Sequence, residues 1–172
     1  MKEKIFIEGG KRLSGYIPIS GAKNSCLTLM PASLLSESGL TLNNVPNLSD
    51  VDTMKALLES LGCVVDHQKA DKTLDLKTSN DCLFTAGYEI VKKMRASILV
   101  LGPLLARHGQ AIVALPGGCA IGARPINLHL MALEALGARF SMKNGYVKGK
   151  VGSRLKGCKI EFPFKSVGAS AN

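Results

Sequence analysis

Two stretches of this sequence carry the same landmarks in the same order, and that repetition restricts the fold more than any other feature. Leu58-Glu59-Ser60-Leu61-Gly62 matches Leu133-Glu134-Ala135-Leu136-Gly137, each closing a helix and opening a strand. Earlier in each unit, Leu35-x-x-x-Gly39 matches Leu105-x-x-x-Gly109. A repeated unit of alternating helices and strands predicts an α/β fold.

In the first unit the pattern predicts a helix over Ala22 to Ser36 and a strand over Leu40 to Leu42. A second helix runs to Leu61, capped by Asp50 or Asp52, before strands at Cys63 to Val65 and Thr73 to Leu76. Residues 79–87 read as a loop. The second unit reads as one helix over Tyr88 to Arg107, a strand over Ala111 to Leu115 and a helix over Ile126 to Leu136. Strands at Ala138 to Ser141, Tyr146 to Val151 and Lys159 to Phe162 follow. Before the first unit, Ile5 to Ile7 and Tyr16 to Ile19 read as short strands. Ser166-Val167-Gly168-Ala169 resembles Ser20-Gly21-Ala22, so a third unit is expected to begin as the sequence stops, which predicts a truncated chain.

Between its landmarks the second unit is about five residues longer than the first. The extra residues fall in Leu115-Pro116-Gly117-Gly118-Cys119-Ala120-Ile121-Gly122-Ala123-Arg124-Pro125. An insertion confined to one copy of a repeat is a natural carrier of function. Glycines let the backbone turn tightly and approach a ligand, and Arg124 and a helix N-terminus would favour the thiolate of Cys119. Ser20-Gly21-Ala22-Lys23-Asn24-Ser25 lies at a strand-to-helix junction, where free backbone N–H groups, Lys23 and Asn24 suit a phosphate or carboxylate. Lys92-Lys93-Met94-Arg95 adds positive charge near a helix start, and Asn127 and His129 follow Pro125 at another. The blander readings are a glycine turn, a helix cap and solvated cations.

Composition narrows the partners. The formal charge of +9 favours an anionic partner. Only 5% of residues are aromatic and there is no Trp, which argues against stacking of single-stranded nucleic acid. The five cysteines are odd in number and lack metal or redox spacing, which fits a reducing cytoplasm. Three interrupt apolar stretches and read as small core residues. The longest apolar run, Ala96 to Ala106, is too short to cross a bilayer, and the N-terminus lacks a signal-peptide core. No metal, dinucleotide or Ser-His-Asp motif is present, so no metal and no cofactor are expected.

Gly21-Ala22-Lys23-Asn24, Asn44-Val45-Pro46, Asp50-Val51-Asp52-Thr53-Met54, Val91 to Ser97, Leu101 to Leu104, Leu115 to Leu128 and Ser166 to Ala169 together resemble the UDP-N-acetylglucosamine 1-carboxyvinyltransferase family, in order and over almost the whole chain. The resemblance implies an inside-out α/β barrel of two lobes, each built from repeated βαβ-type units. Residues 1–20 would belong to the second lobe, and 21–172 would form an incomplete first lobe. The implied activity is transfer of enolpyruvyl from phosphoenolpyruvate to the 3-hydroxyl of UDP-N-acetylglucosamine, with release of phosphate, at the first committed step of peptidoglycan synthesis. Cys119 would be the general acid and the target of fosfomycin. Lys23, Asn24 and Arg124 would hold phosphoenolpyruvate. Arg95, Arg124, Pro125, Ile126, Asn127, Leu128 and His129 would line the nucleotide-sugar site with Lys165, Ser166, Val167 and Gly168. Phe164 stands where many members carry a lysine, and Lys165 is its neighbour. Complete members are more than twice as long, and their aspartate base lies beyond the region matched here. An inactive fragment with weak nucleotide-sugar binding is the alternative. The related shikimate-type transferases lack this cysteine-bearing loop.

Overall fold

A computed structural model describes residues 4–115 and 126–170 of the chain. Helix α1 (Lys23–Leu29) runs directly into a 3-10 segment, Met30–Leu35. The single helix expected over Ala22 to Ser36 is therefore divided at Pro31. Proline has no N–H to continue the α-helical ladder, and its ring crowds the carbonyl four residues earlier.

Strand β1 (Leu40–Leu42), helix α2 (Ser49–Ser60) and strands β2 (Cys63–Gln68) and β3 (Thr73–Thr78) complete the first unit. Strand β3 lies between β1 and β2 and is antiparallel to both, pairing Leu40 with Leu76 and Val65 with Leu76. The unit is thus a split β-α-β: α2 carries the chain from one side of β3 to the other. Helix α2 buries Val51, Met54, Leu57 and Leu58, the spacing of one apolar helical face.

The second unit repeats this plan. After β4 (Thr85–Ala86) come α3 (Tyr88–Val91), a 3-10 segment at Arg95–Val100 and α4 (Leu101–His108). Strand β5 (Gln110–Ala114), helix α5 (Asn127–Ala135), β6 (Ala138–Lys143) and β7 (Tyr146–Val151) follow. Here β7 separates β5 and β6, again antiparallel to both, while β4 adds to the outer side of β5 in parallel. The expected loop at 79–87 therefore ends in a short strand. Asn144 and Gly145 turn the β6–β7 hairpin with φ of 52° and 76°, values that match the primed turns suited to sheet twist.

The paired landmarks are structural equivalents. Gly62 N–H donates to Glu59 O at 2.9 Å, and Gly137 N–H donates to Glu134 O at 2.9 Å. Both glycines take left-handed φ values, 95° and 103°, which end the helix without the steric penalty a Cβ would bring. One apolar core joins the units, with Met30, Leu34, Leu57 and Leu58 from the first and Leu101, Leu104 and Val113 from the second.

Three further expectations are corrected. The helix over Tyr88 to Arg107 is interrupted between Val91 and Arg95, and α4 begins two residues before Pro103, whose missing N–H is tolerated only in a first turn. Asp50 and Asp52 lie inside the first turn of α2 rather than capping it; the cap is Leu48. Ile5 to Ile7, Tyr16 to Ile19 and Lys159 to Phe162 form no strands, because no described residue offers them a ladder. Ile5, Phe6 and Ile7 are 89%, 91% and 89% exposed. Helix α6 (Val167–Ser170) packs on α5.

Candidate functional site

The start of α1 is held by a close backbone approach. A Cβ on Gly21 would overlap the carbonyl of Asn44, so only glycine brings these chains together. Asn44 takes φ 58° and its side-chain amide donates to Ile19 O at 3.4 Å. Gly21, Ser25, Cys26, Asn44 and Pro46 line a cavity of about 190 Å³ at this junction.

Lys23 opens α1, and its Nζ donates to Asp50 Oδ2 at 2.8 Å. Asp50 is the residue that sequence reasoning missed as a site partner. In the sequence it stands as a candidate helix cap and within the resemblance segment Asp50 to Met54, and the long-range contact to Lys23 carries no local signal. The next acid, Asp52, serves its own surroundings: Lys69 Nζ lies 3.1 Å from it and His67 Nδ1 3.8 Å. Asn24 is exposed beside Lys23.

Arg95 is half-buried at the start of its 3-10 segment, which packs against α1. His129, in the first turn of α5, is 7% exposed. Burial, and then the Arg95 guanidinium, hold its imidazole below the ordinary histidine range. A neutral imidazole can both donate and accept a hydrogen bond. Gly168 closes on the same ring: a Cβ there would stand 3.9 Å from His129 Nε2. Ser166 Oγ accepts the Ala169 N–H at 3.3 Å and so caps α6. Lys165 and Val167 are exposed; with Phe162, Phe164, Ser166 and Ser170 they border a cavity of about 430 Å³.

The structure therefore brings Arg95, His129 and Gly168 together, with Lys23 and Asn24 on a neighbouring element. Ile126 and Leu128 are buried supports, whereas Asn127 faces solvent. Cys119, Arg124 and Pro125 lie outside the described residues. The segment that holds them leaves β5 at Leu115, whose N–H donates to Gly145 O at 2.8 Å, and rejoins at buried Ile126. Of the basic run, Lys92 is engaged locally, 2.6 Å from Glu89 and over the Tyr88 ring. Among the described residues, no group of side chains could hold a metal ion, and no helix is long and apolar enough to cross a membrane.

This α/β fold of split β-α-β units is shared with solved enolpyruvyl transferase structures. Residues 7–172 match the family model described as EPSP synthase (3-phosphoshikimate 1-carboxyvinyltransferase), and the chain belongs to that family. Within it, the chain is 59% identical over 170 residues to a UDP-N-acetylglucosamine 1-carboxyvinyltransferase of Dinoroseobacter shibae, a match covering 99% of this chain and 40% of that protein. Proteins of the same name from Ruegeria pomeroyi and Paracoccus denitrificans are each 55% identical over the same shares. The chain thus spans about 40% of the length of these curated relatives.

Solved structures agree on the fold. The enolpyruvyl transferase NikO from Streptomyces tendae superposes with a TM-score of 0.71 at 23% identity, over 88% of this chain and 33% of that one. EPSP synthase from Acinetobacter baumannii gives 0.66 at 15% identity, over 91% and 36%.

Proposed function

We propose that this chain is the corresponding part of a UDP-N-acetylglucosamine 1-carboxyvinyltransferase and supplies its general acid and one wall of its substrate site. The observation that carries this reading is 59% identity over 99% of the chain to a protein of that name. The cationic and buried polar groups described above support it.

Phosphoenolpyruvate presents a phosphate and a carboxylate. Lys23, Asn24 and Arg124 hold these anions by charge-assisted hydrogen bonds. Cys119 gives its proton to the methylene carbon while the sugar 3-hydroxyl oxygen bonds to the adjacent carbon and releases its own proton to a general base, an aspartate by the family resemblance. The resulting tetrahedral adduct then expels phosphate and returns a proton from the methyl group, leaving the enolpyruvyl ether. Arg95 and Arg124 to His129 bind the nucleotide sugar with Lys165, Ser166, Val167 and Gly168. The neutral imidazole of His129 makes a directional contact there. The reaction needs no cofactor. The reading places the protein in the cytoplasm, in peptidoglycan precursor synthesis and hence in cell shape and division, with the Cys119 thiolate open to alkylation by fosfomycin.

A second reading is binding of the nucleotide sugar without turnover, and the exposed apolar residues Ile5 to Ile7 favour it. Phosphate release from phosphoenolpyruvate, with and without UDP-N-acetylglucosamine, separates the two. Sugar-dependent release lost in Cys119→Ala is the expected result for the transferase. Nucleotide-sugar binding without release by the folded chain would select the second reading.

A further inference from the structure

Away from that site, the loop between β3 and β4 meets the end of α4. Cys82 Sγ lies 3.0 Å from His108 Nε2. Arg107 fixes this arrangement: its guanidinium donates to Leu34 O at 2.9 Å, Ser79 O at 3.3 Å and Asn80 Oδ1 at 3.2 Å. The loop is further pinned by Leu83 N–H on Leu61 O at 2.8 Å and Ile112 N–H on Phe84 O at 2.8 Å. The pair is therefore held from three elements. His108, Arg107, Asn80, Glu37 and Leu35 line an open cavity of about 450 Å³; Cys82, 5% exposed, is not part of that lining and meets it through its contact with His108.

We propose that Cys82 and His108 form a second nucleophilic pair, in which the imidazole takes the thiol proton and the sulfur captures small, uncharged, soft electrophiles such as α,β-unsaturated carbonyls. The thiol proton passes to His108 Nε2 as the Sγ–C bond forms at the β-carbon. The electron pair moves to the carbonyl oxygen as an enolate, which then recovers a proton from the imidazolium. The net reaction is addition, with no oxidant or reductant.

Burial, and then the Arg107 charge, hold the His108 imidazole below the ordinary range, so it is neutral and able to accept the proton at pH 7. Arg107, on its own helix, is the charged group that acts on it, and Glu37 lines the same cavity; Cys63 is the other nearby thiol. Cys63 is also the internal control. Cys63 and Cys82 are each 5% exposed, but Cys63 meets the Thr78 hydroxyl at 3.2 Å rather than an imidazole. Burial pushes its thiol up.

The test is alkylation of the intact folded chain by iodoacetamide, read by peptide mass spectrometry. Trypsin places each of the five cysteines on its own peptide, so the reactivity of Cys119 in the proposed transferase site is scored separately and bears on neither outcome. Cys82 is expected to react about a hundredfold faster than Cys63 at pH 7, the low end of what a positioned general base contributes. Its rate should fall on acidification as His108 is protonated. His108→Gln, which keeps a polar group of similar reach without the base, should remove most of the difference while the far-UV circular dichroism stays unchanged. Equal rates at Cys82 and Cys63 in the unmodified chain would overturn the proposal without recourse to any variant. An unchanged Cys82 rate in folded His108→Gln would also overturn it.

Discussion

The carboxylate of Asp50 sits 2.8 Å from the ammonium of Lys23 and ties the first turn of α2 to the first turn of α1. Both side chains remain open to water, at 47% exposure for Lys23 and 38% for Asp50. The pair is therefore a positioning contact more than a source of stability. Asp50→Ala should change the free energy of unfolding by less than ~1 kcal/mol, because exposed ion pairs are screened by water. A urea denaturation midpoint checks this. In the proposed transferase, the same variant should weaken phosphoenolpyruvate binding by releasing Lys23, as read by titration of the ligand.

Gly21→Ala is a harsher change. The added methyl would overlap the Asn44 carbonyl, which belongs to the backbone and cannot swing away. Overpacking of this kind costs about 1–3 kcal/mol. Thermal unfolding of the variant should begin well below that of the parent, with the α1–β1 junction losing amide protection first.

Leu104 is fully buried in α4, within the core shared by both units. Leu104→Ala should cost about 2–5 kcal/mol through lost burial and a residual cavity. Because the core is continuous, both units should unfold in a single denaturation transition rather than two.

Acid should destabilise the fold through its histidines. His67, His108 and His129 are all held below the ordinary range, with burial the largest cause in each. A depressed histidine means that the unfolded chain binds protons that the folded chain refuses. Stability is then fully present above about pH 6.5, the unfolded value, and is lost as pH falls below it toward the folded values. His129→Gln should flatten that dependence in urea titrations between neutral and mildly acidic pH.

The N-terminal apolar residues contribute little to the described fold, since Ile5, Phe6 and Ile7 are almost wholly exposed. Replacing all three with serine should move the unfolding free energy by less than ~0.5 kcal/mol. Self-association, followed by light scattering, should decrease because exposed apolar patches promote it.

The internal repeat, the α/β class and most strand positions were legible because they rest on local chemistry. Leu-x-x-x-Gly and Leu-Glu-x-Leu-Gly end helices wherever they occur, and the two copies end with the same N–H to carbonyl distance of 2.9 Å. The expectation of Lys23, Arg95, His129 and Gly168 as site residues came from the motifs and from the family resemblance. Their convergence, His129 with Arg95 and Gly168, was not written in spacing.

Tertiary structure alone decided the rest. A strand exists only where another strand completes its hydrogen bonds, so Ile5 to Ile7 and Tyr16 to Ile19 have strand-like composition but no ladder among the described residues. Pro31 divided one expected helix and residues 92–94 interrupted the other, and the 3-10 segments that follow these breaks pack into the common core. Asp50 on Lys23, Arg107 on the Ser79–Asn80 turn and Cys82 on His108 join residues 26 to 28 positions apart. The sequence determined which local elements could form. Only burial of the shared core determined which distant side chains would meet, because that choice depends on the packing of whole faces and not on any neighbour in the chain.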